Sequence, residues 1–183
     1  VALNGWLTKR HSRHPTTDFS LYDAPLVWAA ARRAVAEVAL PTLHELFFQG
    51  DAETVLDLDD LFYVRYEAHG QRDLEPHRDG SLLSFNIALT DPKDFQGGGT
   101  RFLGAGRVAR PTQLGDIVLH SGKLLHAGEA VTEGTRDVLV GFVKVKGPKV
   151  NHLFLASPLV TTADETPRLD LPIVNGALVR TAR

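Results

Sequence analysis

Residues 75–89, EPHRDGSLLSFNIAL, place an H-x-D motif directly before a strand-like segment. Within 81–90, SLLSFNIALT, apolar side chains alternate with small or polar ones, the period-2 pattern of a β-strand with two different faces. One face carries Leu83, Phe85, Ile87 and Leu89, and the other carries Ser84, Asn86 and Ala88. This segment predicts a strand of a sheet.

Further strand candidates follow the same rule and are separated by glycine- and proline-containing turns. Many short strands of this kind predict a closed or double-sheet all-β architecture. The candidates are LFYVRYE (61–67), TRFL (100–103), GRVAR (106–110), DIVLH (116–120) and RDVLVGFVKV (136–145).

Before these strands, residues 1–20 are expected to form an irregular arm. One or two helices should follow, with Asp23 as cap, Pro25 in the first turn, Pro41 as a break and an end near Gly50. Their apolar stripe is predicted to hold Val27, Ala31, Ala34 and Val38.

The chain of 183 residues and 20.0 kDa fits one domain. We divide it into a helical amino-terminal support (1–52), a catalytic core (53–146) and carboxy-terminal strands or a strap (147–183). Hydrophobic residues make up 43% of the chain, which is typical of a globular protein. The net charge is −2, so the composition does not favour nucleic acid or an anionic membrane as a partner. Cysteine is absent, which excludes disulfides and thiol chemistry. With no transmembrane run and no signal-peptide core, a cytoplasmic location is favoured.

The H-x-D motif pairs an imidazole and a carboxylate, His77 and Asp79, which would share one face of an extended strand. A second imidazole, His126, follows 49 residues after His77. Two histidines and one carboxylate with open positions form the facial triad of non-haem iron(II). His77, Asp79 and His126 are therefore the predicted iron ligands and catalytic centre.

Arg136 lies ten residues beyond His126, at the start of a predicted strand. A guanidinium holds a carboxylate through two parallel hydrogen bonds. An arginine near the metal would suit the distal carboxylate of a dicarboxylic cosubstrate that chelates iron through its 2-oxo acid. The competing interpretation of Arg136 is an ordinary surface salt bridge.

The stretch from Tyr66 to Val145 resembles the iron(II)/2-oxoglutarate-dependent oxygenases of the prolyl and lysyl hydroxylase superfamily. The similarity is carried by FNIAL, FQGGGTRFL and HSGKLLHAGEAVTEGTR, and it is strongest to the catalytic domain of procollagen lysyl hydroxylases. The resemblance implies a double-stranded β-helix, a jelly roll of the cupin kind. It also implies that Arg136 binds 2-oxoglutarate and that Tyr66 and Asn86 line the cosubstrate pocket.

The implied cofactors are Fe(II), 2-oxoglutarate as cosubstrate, dioxygen and ascorbate as reductant. The implied activity is hydroxylation of an unactivated C–H bond in a prolyl or lysyl residue of a peptide or protein. Three alternatives stay open: a hydroxylase of a free amino acid or small metabolite, a non-catalytic cupin-like metal-binding protein, and a zinc hydrolase using Glu75 or Glu129 as its base. The sequence leaves the oligomeric state unknown.

Overall fold

The computed structural model describes residues 6–8, 11 and 14–148, together with the backbone of 178–179. Within these residues two helices precede a strand-rich body. The helices are α1 (Pro25–Ala34) and α2 (Leu40–Phe48), joined by a π-helical turn at Val35–Ala39. The strands are β1 (Asp18–Ser20), β2 (Val55–Glu67), β3 (Leu74–His77), β4 (Leu83–Ala88), β5 (Phe95–Gly97), β6 (Thr100–Phe102), β7 (Arg107–Ala109), β8 (Ile117–Ser121), β9 (His126–Gly128), β10 (Val131–Lys146) and β11 (Leu178–Val179).

Two antiparallel sheets form the body. The larger has the order β1-β2-β10-β4-β8-β11, with β5 paired to β10, and the smaller has the order β3-β9-β6-β7. The double-sheet jelly roll expected from the sequence is confirmed by this topology and by the solved structure described below.

The larger sheet buries both of its faces. The odd-numbered face of β4, with Leu83 and Phe85, packs with Val35 and Leu43 of the helical segment. Phe62, Val64 and Val138 point the other way and form a second apolar cluster on the inside. The polar face of β4 therefore points into the body, and the helices cover the apolar one.

The helical segment departs from the sequence prediction in two details. The predicted stripe is wrong at two of its four positions, because Val27 is 53% exposed and Ala34 is exposed as well, and the buried positions begin at Val35 and Ala39. The predicted cap is also wrong: Asp23 lies in a 3₁₀ turn, and Ala24 stands at the N-cap without a side-chain hydrogen bond. Pro41 sits in the first turn of α2, where its missing N–H breaks no helical hydrogen bond.

Several strands of three or four residues were absent from the sequence prediction, which found β6 and β7, of similar length, within its candidate segments 100–103 and 106–110. The absent strands are β1, β3, β5 and β9. The arm predicted over 1–20 is irregular only in part, since β1 pairs with β2 through Asp18↔Val64. Of the predicted carboxy-terminal strap, 149–177 and 180–183 lie outside the described residues, and 178–179 pair with Val118 and Ile117. The three-part division of the chain stays a prediction.

Candidate metal centre and cosubstrate cavity

Two histidines face each other across the smaller sheet. His77 ends β3 and His126 begins β9, and the two are direct partners in the register. Asp79 approaches both: its Oδ1 lies 3.5 Å from Nε2 of His77 and 3.7 Å from Nε2 of His126. All three ligand atoms lie within 4.8 Å of one another, which is the spacing at which a single metal ion can be held.

The tautomer of each imidazole is set by a backbone carbonyl. Nδ1 of His77 donates to the carbonyl oxygen of Glu75 at 2.8 Å, and Nδ1 of His126 donates to that of Leu124 at 2.9 Å. A neutral imidazole that donates through Nδ1 carries its lone pair on Nε2. In the neutral form of both rings these lone pairs face Asp79. When His77 is protonated, its Nε2–H donates to Asp79 instead.

Asp79 is placed by a loop, since β3 ends at His77. The backbone N–H of Asp79 donates to the carbonyl of Gly122 at 2.8 Å, and the Lys123 ammonium donates to the carbonyl of Asp79 at 3.0 Å. The Ser84 hydroxyl donates to Oδ2 at 2.5 Å, which leaves Oδ1 toward the imidazoles. Convergence thus depends on contacts to two other segments and not on strand alternation alone.

The electrostatics of the triad favour ligand forms able to bind a cation. Burial opposes ionisation of Asp79, but the hydrogen bond with His77 and the nearby imidazoles lower its pKa to about 2. Burial, with the neighbouring His120, lowers the pKa of His126 to about 4. For His77, burial lowers the pKa, but the hydrogen bonds with Asp79 and the Glu75 backbone outweigh it and the net pKa is raised. The raised pKa favours a proton on Nε2 of His77, between the imidazole and Asp79, and a bound cation would take the place of that proton.

Arg136 is buried inside the body. It is paired with Tyr66 across β10 and β2, its guanidinium lies 5.4 Å from the centre of the Tyr66 ring, and only 5% of the residue is exposed. Burial lowers its pKa, and Nε has no hydrogen-bond partner within the described part of the chain. A buried guanidinium without a counter-charge is costly, so this site calls for an anion. The alternative of a surface salt bridge does not fit this burial.

The glycine run at 97–99 makes room beside Arg136. All three glycines have positive φ, and a Cβ at Gly98 would lie 2.9 Å from Cδ of Arg136. Glycine at these positions therefore lets the backbone turn tightly and pass close to Arg136.

One cavity of about 610 Å³ connects the arginine with the triad. Tyr66 and Val138 line its arginine end, and Asn86 crosses its middle, donating from Nδ2 to Oγ1 of Thr100 at 3.2 Å. The structure thus brings all six predicted site residues to one cavity: His77, Asp79, Asn86, His126, Tyr66 and Arg136.

Several residues near the cavity had no role assigned from the sequence, or only an alternative one. Ser84 and Lys123 hold Asp79, and neither had a readable signal because serine and lysine are common in loops and strand edges. His120 packs its ring 4.6 Å from that of His126 and is not one of the three converging ligands. Glu75 and Glu129, the general bases that a zinc hydrolase would need, do not line the cavity.

The residues present fit a metal ion and a dicarboxylate together. Two neutral imidazoles and one carboxylate would leave open positions on iron(II), and the buried guanidinium of Arg136, whose Nε has no hydrogen-bond partner in the described part of the chain, could hold an anion in the same cavity. Among the described residues, no helix is long and apolar enough to cross a membrane.

A jelly roll that carries such a cavity defines the class of iron(II)/2-oxoglutarate oxygenases. A 2OG-Fe(II) oxygenase family oxidoreductase from Burkholderia pseudomallei superposes with a TM-score of 0.51 over 67% of this chain and 58% of its own, at 16% identity, which supports the fold alone.

The resemblance inferred from the sequence is confirmed: the homologues of this chain are procollagen-lysine 5-dioxygenases. Human procollagen-lysine,2-oxoglutarate 5-dioxygenase 2 is 36% identical over 135 residues, covering 70% of this chain and 18% of the relative. The procollagen lysyl hydroxylase and glycosyltransferase of Acanthamoeba polyphaga mimivirus is 31% identical over 135 residues, covering 71% and 14%. The matched stretch is thus less than a fifth of either relative's length. No family model matches the sequence.

Proposed function

We propose that this domain is an iron(II)- and 2-oxoglutarate-dependent dioxygenase that hydroxylates an unactivated C–H bond of a prolyl or lysyl residue in a peptide or protein. The observation that carries the proposal is the buried Arg136, whose Nε has no hydrogen-bond partner among the residues that the structure describes and which shares one cavity with three converging metal ligands. A metal-storage site has no use for that guanidinium. A dicarboxylic cosubstrate, in contrast, needs the metal for its 2-oxo acid and the guanidinium for its distal carboxylate.

Iron(II) held by Nε2 of His77, Nε2 of His126 and Oδ1 of Asp79 would, with 2-oxoglutarate and dioxygen, supply the oxidising chemistry. The protein's own part is to hold these three atoms on one side of the ion and to leave the other side open. The Nδ1–carbonyl hydrogen bonds keep both rings from turning away.

Arg136 would hold the distal carboxylate of the cosubstrate by a bidentate pair. Tyr66 supports it in two ways: its ring lies against the guanidinium, and burial raises the pKa of its phenol, so that it remains a hydrogen-bond donor at neutral pH. Asn86 and Thr100 offer polar atoms along the middle of the cavity. Val64 and Val138 exclude water beside them.

The cosubstrate would therefore have its orientation set before the substrate arrives. The guanidinium of Arg136 lies at one end of the cavity and the metal ligands lie at the other, so 2-oxoglutarate can bind in only one direction. Catalysis by this class of enzyme depends on such positioning of the cosubstrate. We also propose ascorbate as the reductant that keeps the iron ferrous, and a cytoplasmic location stays a prediction from the sequence.

The test is coupled turnover. The protein is incubated with iron(II), ascorbate, 2-oxoglutarate and pools of peptides or free amino acids, and succinate is measured together with a mass gain of one oxygen atom in a pool member. We expect both products from peptide pools and neither from His126→Ala.

Succinate formed only with free amino acids would move the substrate class to small metabolites. No succinate with any pool, in a protein that still binds iron, would contradict the proposal and favour a non-catalytic metal-binding protein.

A further inference from the structure

The amino-terminal arm supplies a side of the cavity that neither sheet supplies. Two of its histidines, His11 and His14, line the cavity. The ring centre of His11 lies 4.6 Å from that of Phe62 on β2, and the ring centre of His14 lies 4.9 Å from that of His77 on β3. Because β2 belongs to the larger sheet and β3 is the terminal strand of the smaller one, the arm bridges the two sheets beside the metal ligands.

His14 is held in place by contacts of the residues that follow it. Nε2 of Gln71 donates to the carbonyl of Pro15 at 2.8 Å, and Oε1 of Gln71 accepts from the backbone N–H of Thr17. The carbonyl of Thr17 accepts from the backbone N–H of Arg65 on β2 at 2.9 Å. The arm is therefore attached to the body directly after His14.

His11 is fixed by contacts with the protein itself. Asp18 is 0% exposed, and its Oδ2 lies 3.7 Å from Nε2 of His11 and accepts from the Thr16 hydroxyl. The ring of His11 also contacts Phe62 and lies with its centre 6.2 Å from that of Phe142. His11 thus anchors the arm against the larger sheet.

His14 differs from His11 in its polar contacts. It is half-buried, and in the described part of the chain it contacts the His77 ring but has no hydrogen bond or ion pair. A neutral imidazole carries one N–H donor and one acceptor nitrogen. The main chain of a peptide presents the matching pair, a carbonyl oxygen and an N–H. His14 can therefore pair with a peptide that passes beside the metal ligand His77.

The arm lies toward the end of the cavity that the cosubstrate leaves free. Arg136 and Phe142 both line the cavity from β10 and are separated by about 20 Å along an extended strand. Through His11 the arm contacts the end with Phe142. If 2-oxoglutarate takes the end with Arg136, the substrate reaches the metal from the opposite end and passes His14.

We infer that His14 is a substrate-binding residue that hydrogen-bonds to the main chain of the peptide beside the residue to be oxidised. Gln71 is then a positioning residue that holds the arm for this contact. The inference rests on the proposed function and deepens it by giving the peptide a contact outside the metal and cosubstrate sites. A contact with main chain leaves the identity of the oxidised side chain open.

The first experiment separates hydrogen bonding by His14 from packing of its ring. The probe is a fluorescein-labelled pool of short peptides with lysine or proline at the centre and randomised neutral flanks. Its binding is measured anaerobically by anisotropy, with manganese(II) and 2-oxoglutarate present. His14→Phe keeps a ring against His77 without polar atoms, whereas His14→Gln keeps a donor and an acceptor.

We expect His14→Phe and His14→Ala to weaken peptide binding by about fivefold or more, and His14→Gln to stay within about twofold of the wild type. His14→Phe should leave the affinities for manganese(II) and 2-oxoglutarate near the wild-type values. His69→Ala, at an exposed position outside the cavity, is the control. Wild-type peptide affinity in His14→Phe overturns the inference alone.

The second experiment tests whether the contact is to main chain. Esters replace single amides of the peptide one at a time, which removes one N–H donor and weakens one carbonyl acceptor. At a bond near the central residue, we expect the ester to weaken binding to the wild type by about threefold, and to leave binding to His14→Phe unchanged. Equal losses in the two proteins at every bond would contradict the inference.

The third experiment addresses Gln71, which does not line the cavity. Gln71→Ala should weaken peptide binding by about threefold, and Gln96→Ala, at an exposed glutamine, should not. If Gln71 acts through His14, the double variant with His14→Phe should bind peptide no more weakly than His14→Phe alone. Additive losses would show that Gln71 has only a structural role and would contradict its positioning of His14. Circular dichroism checks that each variant folds.

Two outcomes separate this inference from the proposed function. A wild-type protein that binds 2-oxoglutarate but no peptide of the pool overturns the inference and leaves the cosubstrate site standing. If the manganese-loaded protein fails to bind 2-oxoglutarate, the proposed function falls and the inference falls with it.

Discussion

His77 and His126 face each other across an antiparallel strand pair, and each ring donates from Nδ1 to the carbonyl two residues before it. The ring centres lie 4.4 Å apart. Because the two local hydrogen bonds are the same, both imidazoles present Nε2 to the same space. The metal centre is therefore pre-oriented by the backbone of β3 and of the turn that leads into β9.

Removal of one of these imidazoles should abolish tight metal binding. For His126→Ala we expect affinity for iron(II) or manganese(II) to fall by more than about 100-fold, because two ligands remain where three converge. Anaerobic calorimetry measures the affinity, and His69→Ala, at an exposed position outside the cavity, is the control. Wild-type affinity in His126→Ala would show that the triad is not the metal site.

The hydrogen bond from Ser84 to Asp79 should matter for the metal although Ser84 is not a ligand. Ser84→Ala frees Oδ2 and lets the carboxylate turn, and supporting contacts of this kind are typically worth about 10–100-fold in metal affinity. The matched control is Ser81→Ala, because the Ser81 hydroxyl contacts Ser84 but has no hydrogen bond to Asp79 among those described. Equal affinities in the two variants would contradict this role.

Arg136→Lys should weaken 2-oxoglutarate binding while leaving metal binding intact. The ammonium keeps the charge but loses the planar pair of donors, so we expect a loss of about 10-fold or more, and a larger loss for Arg136→Ala. Titration of 2-oxoglutarate into the manganese-loaded protein provides the measurement. Retained cosubstrate affinity in Arg136→Ala would show that another group holds the distal carboxylate.

The stability of the metal-free protein should fall as the pH drops from about 6.5 to about 4. Burial lowers the pKa of His126 to about 4 from an ordinary value of 6.5, so over this window the unfolded chain binds the extra proton and the folded chain does not. The full shift corresponds to on the order of 3 kcal/mol. Burial lowers the pKa of His120 as well, which adds to the loss, whereas the raised pKa of His77 opposes it.

Urea unfolding in the presence of a chelator, repeated across this pH range, measures the effect. His126→Gln should flatten the curve, and His69→Gln should not. A wild-type curve that stays level between pH 6.5 and 4 would contradict the prediction.

Phe85→Ala should destabilise the fold by about 3–5 kcal/mol, because the ring is fully buried between the larger sheet and the helices. Gly141 on the neighbouring strand leaves the space that the ring fills: a Cβ there would lie 2.0 Å from Cζ of Phe85. Leu26→Ala, at a side chain that is 89% exposed, should change the free energy of unfolding by less than about 0.5 kcal/mol. Chemical denaturation distinguishes the two.

Sequence reasoning performed best where a pattern repeats. The alternation in 81–90 predicted β4 because a strand with two different faces needs period 2, and the spacing of H-x-D, His126 and Arg136 indicated the chemistry because few residue sets suit iron with a dicarboxylate. It performed worst at β1, β3, β5 and β9, whose three or four residues are too few to show a clear period. These strands form through pairing with other segments: β1 with β2, β5 with β10, and β3 with β9. The helix stripe failed at Val27 because the sheet, and not the helix, determines which turn is covered.

By itself the sequence determined the class of fold and the class of chemistry, since both follow from residue type and order. It also singled out six side chains that meet at one cavity, and their roles in binding metal and cosubstrate stay a prediction. Tertiary structure decided the rest. Asp79 reaches the imidazoles through Gly122, Lys123 and Ser84, and Arg136 is buried beside the cavity with its Nε lacking a hydrogen-bond partner among the described residues. Contacts between segments distant in the chain have no local signal, because they arise only when the two sheets close around one cavity.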